Sequence, residues 1–120
     1  MGLDMYVYST RSKKPVEEIH KVKMTNELCY WRKHPNLHGW MEELYRERGG
    51  EESFNCVYIE LFEEDVVNLE KAINEEILPE TRGFFFGQSD GEEKQYDLEQ
   101  VAKMKVQLSK GRRLFYTSWW

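Results

Sequence analysis

LDMYVY, at residues 3–8, places strongly apolar side chains at every second position. In an extended backbone Leu3, Met5 and Val7 point to one side, and the residues between them point to the other. This period of two predicts a β-strand that begins near residue 2 and has one strongly apolar face. Such a face must be covered by other elements, which the rest of the chain has to supply.

Three later segments have the spacing of amphipathic helices. Their apolar residues recur at intervals of three and four, and glycine or proline follows each pattern. The predicted helices run from Leu37 to Gly49-Gly50, from Glu63 to Pro79, and from about Asp97 to Lys110. Pro35 fits the first turn of the first helix, but Leu28, Cys29 and Trp31 could instead form a preceding helical turn that is kinked at the proline.

Three further segments predict strands. Residues 56–62 alternate and are rich in β-branched and aromatic side chains, and residues 83–87 are three phenylalanines between two glycines. Residues 113–120 alternate again and predict the last strand. Residues 16–26 have a mixed pattern and are left unassigned.

These elements predict a single domain, residues 1–120, of class α+β, with about four strands in one sheet packed with three helices. An α/β two-layer sandwich is the alternative. The inward residues of each periodic segment should be largely buried: Leu3, Met5, Val7, Trp40, Leu44, Val57, Ile59, Leu61, Leu69, Ile73, Phe85, Val101 and Leu108.

The composition excludes several functional classes. The 120 residues carry a formal net charge of −5, which argues against general binding of nucleic acid. The apolar runs are far shorter than the ~20 residues of a membrane-spanning helix, and the first residues lack the basic-then-apolar order of a signal peptide. We therefore expect a cytoplasmic protein with two reduced cysteines and no membrane partner.

The charge is unevenly distributed along the chain. Residues 1–33 hold seven basic and four acidic side chains, whereas residues 34–120 hold ten basic and eighteen acidic ones. The basic residues between Arg11 and Lys23 are expected to coat an exposed loop and strand edge. Such an edge could also steer an acidic partner toward the protein.

The sequence gives little support for a metal or a cofactor. His34 and His38 are four apart, and Cys29 and Cys56 could complete a tetrahedral zinc set, but zinc ligands usually occur in close local pairs. No nucleophile signature surrounds either cysteine. Residues 83–87 cannot cradle a phosphate, because phenylalanines fill the space between the glycines and no Lys-Ser/Thr follows. We predict neither a metal nor a cofactor.

Four blocks of the sequence resemble a family of small uncharacterised proteins encoded by bacteriophages and prophages. The blocks are MGLDMY at residues 1–6, YWRK at residues 30–33 with His38 and Trp40, GFFFG at residues 83–87, and Tyr116, Ser118 and Trp119. The resemblance implies a phage or prophage setting in the cytoplasm of a bacterial host, and it carries no activity or catalytic residue with it. Pro35 departs from the family pattern, in which an uninterrupted helix follows the YWRK block.

A set of aromatic and charged residues remains as the candidate functional site. Asp4, Arg32 and His38 could form a pocket for a planar or anionic ligand, in which Asp4 would orient His38 for acid–base chemistry. The candidate binding residues are Tyr6, Tyr30, Trp31, Arg32, Tyr116, Trp119 and Trp120. The competing interpretation is that Trp31, Trp40 and residues 84–86 are core and that Tyr6 and Tyr8 are half-buried cover.

Three functional hypotheses follow from this set. The first is a non-enzymatic module that binds a host protein through an exposed patch, since tryptophan, tyrosine and arginine anchor such interfaces. That patch would be either Tyr116, Trp119 and Trp120 or the basic stretch from Arg11 to Lys23. The second is a small-ligand-binding protein or small enzyme. The third is a self-associating structural protein, in which the C-terminal strand pairs with its twin at an open sheet edge to form a homodimer.

Overall fold

One four-stranded sheet organises the chain, with the strands in the order β2-β1-β4-β3 and every neighbouring pair antiparallel. The computed structural model describes residues 2–82 and 92–120. The strands are β1 (Asp4–Thr10), β2 (Asn26–Arg32), β3 (Ile59–Leu61) and β4 (Arg113–Trp119). Because these pairs are antiparallel, the α+β prediction is confirmed, and none of the described strands has the parallel pairing of an α/β fold.

Three α-helices pack on one side of this sheet, which we call the inner face. They are α1 (Pro35–Glu47), α2 (Glu63–Asn74) and α3 (Lys94–Ser109), and a short 3-10 helix spans Val16–Lys21. The core joins Met5 and Val7 of β1 to Met41 of α1, Leu69 of α2 and Met104 of α3. The first strand therefore buries the face that its sequence alternation predicts.

Most of the predicted core residues are buried. Leu3, Met5, Val7, Ile59, Leu61, Leu69, Ile73 and Val101 are inaccessible or nearly so, while Trp40, Leu44, Val57 and Leu108 are half-buried and pack against the same cluster. Phe85 and the predicted strand at residues 83–87 lie outside the described residues. The predicted strand at residues 56–62 shortens to β3, since Cys56 has a positive φ of 62° that interrupts the extended backbone.

Pro35 begins α1 rather than kinking it. The proline occupies the first helical turn, where its missing N–H costs no hydrogen bond. Leu28, Cys29 and Trp31 belong to β2, so the alternative of a preceding helical turn is excluded. Lys33, with a φ of 55°, turns the chain from β2 into α1, and its N–H donates to the Leu3 carbonyl at 2.8 Å.

The last strand, β4, is an inner strand of the sheet. It lies between β1 and β3, and β3 pairs with residues 114–116, so the expectation that the C-terminal strand is an open edge of the sheet is wrong. Among the strands that the structure describes, the edges are β2 and β3. The Tyr96 hydroxyl donates to the Tyr30 carbonyl of β2 at 2.6 Å, which satisfies one of the acceptors on that edge. Within the described ranges, no helix is long and apolar enough to cross a membrane.

Candidate functional site

The side of the sheet opposite the helices, here called the outer face, carries five of the nine predicted site residues. Alternation along β1 sends Asp4, Tyr6 and Tyr8 to this face while Met5 and Val7 point inward. Asp4 is directly opposite Arg32 of β2 and Trp119 of β4 in the strand register. Side chains opposite one another on neighbouring strands share a face and lie close together.

Three tyrosines form a continuous row across β1 and β2. The Tyr6 and Tyr8 rings stack with their centroids 5.8 Å apart, and the Tyr6 and Tyr30 rings lie 5.2 Å apart. Tyr6 and Tyr8 are half-buried, and Tyr30 is exposed. Burial raises the pKa of Tyr6 and of Tyr8, so both hydroxyls stay neutral at ordinary pH.

Asp4 accepts a hydrogen bond from one of these tyrosines, and it forms no ion pair with a basic side chain that the structure describes. The Tyr30 hydroxyl donates to Asp4 Oδ1 at 2.6 Å, and this hydrogen bond is the main reason that the pKa of Tyr30 rises to about 12. Arg32 is exposed and forms no ion pair with any residue that the structure describes. The outer face therefore combines aromatic rings with one uncommitted guanidinium group.

The two C-terminal tryptophans have different environments. Trp119 is 68% exposed on the outer face, beside Asp4. Trp120 is half-buried, and its indole N–H donates to the Phe54 carbonyl at 2.8 Å. Its backbone is also bonded to Asn55, whose side chain donates to the Trp120 carbonyl at 2.8 Å. Trp120 is thus a packing residue, and Trp119 is the member of the pair that a partner could contact.

His38 is on the inner side of the sheet and is separated from Asp4. Its Nδ1 lies 2.7 Å from the hydroxyl of Tyr116, a fully buried residue of β4. Burial lowers the pKa of His38 to about 4, so the imidazole is neutral in the folded protein near neutral pH. The structure does not bring together the predicted acid–base pair of Asp4 and His38, because β1 directs Asp4 to the opposite face.

A buried polar cluster that the sequence did not indicate involves the other histidine of this region, His34. Asp97 of α3 accepts from His34 Nε2 at 2.8 Å and from the Trp31 indole N–H at 2.8 Å. Trp31, His34 and Asp97 are all buried. The cluster connects the end of β2 and the start of α1 to α3, so its evident role is to hold these elements together. A buried carboxylate is stable there because it accepts two hydrogen bonds.

A cavity of about 430 Å³ opens beside the end of β2. Its walls include Tyr30, Trp31, Arg32, His34 and Tyr96. Tyr30 and Arg32 line this cavity and also belong to the outer face, so the two features are adjacent.

The cysteines have separate environments. Cys29 is buried, with its Sγ 3.8 Å from the Gln100 carbonyl, and burial raises the pKa of its thiol to about 12. Cys56 is exposed, and neither residue forms a disulfide. Among residues 2–82 and 92–120, no group of three metal-binding side chains is positioned to hold an ion.

Comparison with protein-family models, with curated proteins and with solved structures gives no significant match to this chain. The fold brings Asp4, Tyr6, Tyr30, Arg32 and Trp119 together on the outer face. It buries three of the other predicted site residues, Trp31, His38 and Tyr116, and it half-buries Trp120.

Proposed function

We propose that this protein is a non-enzymatic binding module whose outer face docks onto another protein. The single observation that supports this most strongly is the exposure of Trp119, 68% accessible, on the same face of the sheet as Arg32 and the row of tyrosines. Tryptophan, tyrosine and arginine carry most of the binding energy in protein interfaces. Exposed tryptophan has no packing role to explain its position, whereas contact with a partner would remove its apolar surface from water.

The chemistry of the outer face narrows the class of partner. Arg32 offers a charged fork that suits a carboxylate, and the tyrosines offer flat apolar rings with hydroxyl groups at their ends. A matching surface would present an apolar centre with an acidic side chain near Arg32. The resemblance to phage and prophage proteins supports a bacterial host protein as that partner, in the cytoplasm.

Affinity capture with matched variants tests this proposal. The immobilised wild-type protein should retain a bacterial host protein that is lost with the Trp119→Ala and Tyr30→Ala variants. Ile77→Ala is the matched control, because Ile77 is 63% exposed but lies beyond the end of α2, outside the strands that form the outer face. Capture that survives both outer-face substitutions, or that is lost equally with Ile77→Ala, would contradict the proposed role of this face.

Self-association is tested in the same series. Light scattering should give the mass of a monomer for the wild-type protein and for Trp119→Ala. If the wild type is a dimer and Trp119→Ala is a monomer, then a second copy of the chain occupies the outer face, and the host-protein proposal fails.

A further inference from the structure

A second cavity, of about 390 Å³, lies at the end of the sheet where β1 finishes and β2 begins. Four basic side chains line it: Arg11, Lys23, Lys110 and Arg112. Its other described lining residues carry only hydroxyl or amide groups, so the part of the wall that the structure describes contains no carboxylate and no aromatic ring. In a chain of net charge −5, this concentration of positive charge is a local exception.

The four cations reach the cavity from three separate parts of the sequence. Arg11 follows β1, Lys23 precedes β2, and Lys110 and Arg112 flank Gly111 after α3. Gly111 has a φ of 79°, a conformation that favours glycine, and it turns the chain sharply between the two bases. Arg112 Nη1 then donates to the Lys110 carbonyl at 3.3 Å. The fold itself therefore brings these charges together.

None of these four bases has an acidic partner among the residues that the structure describes. Other bases in the chain do, since Lys105 pairs with Glu70 at 2.7 Å and Arg113 pairs with Glu60 at 2.9 Å. Like charges that share a concave site repel one another. A bound anion would neutralise this repulsion.

The wall chemistry identifies the class of anion. Guanidinium and ammonium groups together with hydroxyl groups are the usual donors to phosphate oxygens. Because the cavity has no aromatic ring, a nucleobase would find no stacking surface in it, and an apolar ligand would find little contact. We propose that this cavity binds a small phosphorylated anion with at least two negative charges, of the pyrophosphate or sugar-phosphate class.

This site is distinct from the outer-face surface. Trp119 pairs with Asp4 at the start of β1, whereas the cavity adjoins Thr10 at the opposite end of the same strand. The two proposals can therefore fail independently.

Calorimetric titration with pyrophosphate tests the assignment. The wild-type protein should bind one pyrophosphate, and the double variant Lys23→Gln/Arg112→Gln should bind it at least about tenfold more weakly, because two charge-assisted contacts are lost. The double variant Lys13→Gln/Lys14→Gln is the matched control. It removes the same charge from two exposed lysines near Arg11 that do not line the cavity.

Thermal melting of the ligand-free variants adds a second readout. Since the four bases repel one another, Lys23→Gln/Arg112→Gln should melt at the wild-type temperature or above it. A clear fall in melting temperature would show that these bases stabilise the fold, which would overturn the proposal.

Three further results would also overturn it. The first is an absence of saturable pyrophosphate binding, and the second is equal weakening in the control pair. The third is binding of citrate or of a single-stranded oligothymidylate as tight as that of pyrophosphate, since either would show that the site does not select a small phosphorylated anion.

Discussion

Tyr30 and Trp31 are neighbours on β2, yet their side chains lie on opposite faces of the sheet and differ in their exposure to water. Tyr30 lies on the outer face, 36% exposed, and donates to Asp4 at 2.6 Å. Trp31 lies on the inner face, 4% exposed, and donates to Asp97 at 2.8 Å. Each aromatic residue therefore forms the same kind of hydrogen bond to an aspartate, one in contact with water and one out of it.

The difference between the two pairs separates structure from function in this chain. If the hydrogen bond between Trp31 and Asp97 were broken, no water could replace it in the interior. This contact therefore contributes to the stability of the fold. On the outer face, water can replace either partner at little cost, so the Tyr30 side chain and Asp4 remain available to another molecule. The aromatic residues thus divide between packing and the proposed binding surface, and the direction of each side chain distinguishes the two groups.

The largest expected difference in stability is between substitutions of the two aspartates, Asp97 and Asp4. Asp97→Ala should lower the free energy of unfolding by about 3–5 kcal/mol, because it breaks a buried network and leaves two N–H donors without their acceptor. Asp4→Ala should cost about 1 kcal/mol or less, the usual net value of one hydrogen bond. Urea unfolding of both variants measures this. Equal losses would remove the distinction between the inner and outer pairs.

The buried His38 should make stability depend on pH. Its pKa falls from 6.5 to about 4 in the folded protein, so the unfolded chain takes up a proton first as the pH falls. Stability from this group is therefore present above pH 6.5 and is lost between pH 6.5 and about 4, by up to about 3 kcal/mol.

Urea unfolding across this pH range in wild-type and His38→Asn protein measures the effect. The variant should lose less stability than the wild type as the pH falls, and His20→Asn, at an exposed position, should behave like the wild type. Parallel pH profiles for the wild type and His38→Asn would show that His38 is not held neutral by burial.

Substitutions of Trp119 and Trp120 should differ less in their effect on stability. Trp120→Ala should cost about 2 kcal/mol, less than for a fully buried tryptophan, because Trp120 is half-buried. Trp119→Ala should stay within about 0.5 kcal/mol of the wild type, as for most surface substitutions. Thermal and urea unfolding measure both values. A large loss for Trp119→Ala would indicate a packing role and would weaken its assignment to a binding surface.

How much could be predicted from the sequence depended on whether the signal was local. The burial of Leu3, Met5 and Val7 follows from alternation within one strand. β2 was harder to recognise, since only Cys29 and Trp31 are buried in it, and the register with β1 shifts between Val7 and Tyr8. The alternation of these two residues with Tyr30 and Arg32 is the signal that could have identified the strand.

The face of α3 and the cavities depend on contacts between distant segments. The sequence predicts that Leu108 of this helix is largely buried, yet it is half-buried while Asp97 and Gln100 are almost fully covered. Charged and amide side chains carry no sequence signal for burial, since their partners, such as His34, lie far away along the chain. The cluster of Lys110 and Arg112 with Arg11 is equally invisible before the chain folds.

The smallest and most local expected effect is on the pKa of Tyr30, through its hydrogen bond to Asp4 on the outer face. The hydrogen bond to Asp4 is the largest cause of the raised pKa of Tyr30, about 12, with burial contributing less. Asp4→Asn removes the negative charge that opposes ionisation of the phenol, so the pKa of Tyr30 should move back toward 10.0, its ordinary value. Spectrophotometric titration of tyrosinate, with Tyr30→Phe to assign the transition, measures this shift. Arg32→Gln should act in the opposite direction, because the guanidinium lowers the same pKa. If Asp4→Asn leaves the Tyr30 transition unchanged, then the hydroxyl is not committed to Asp4, and a docking partner would find both groups already free.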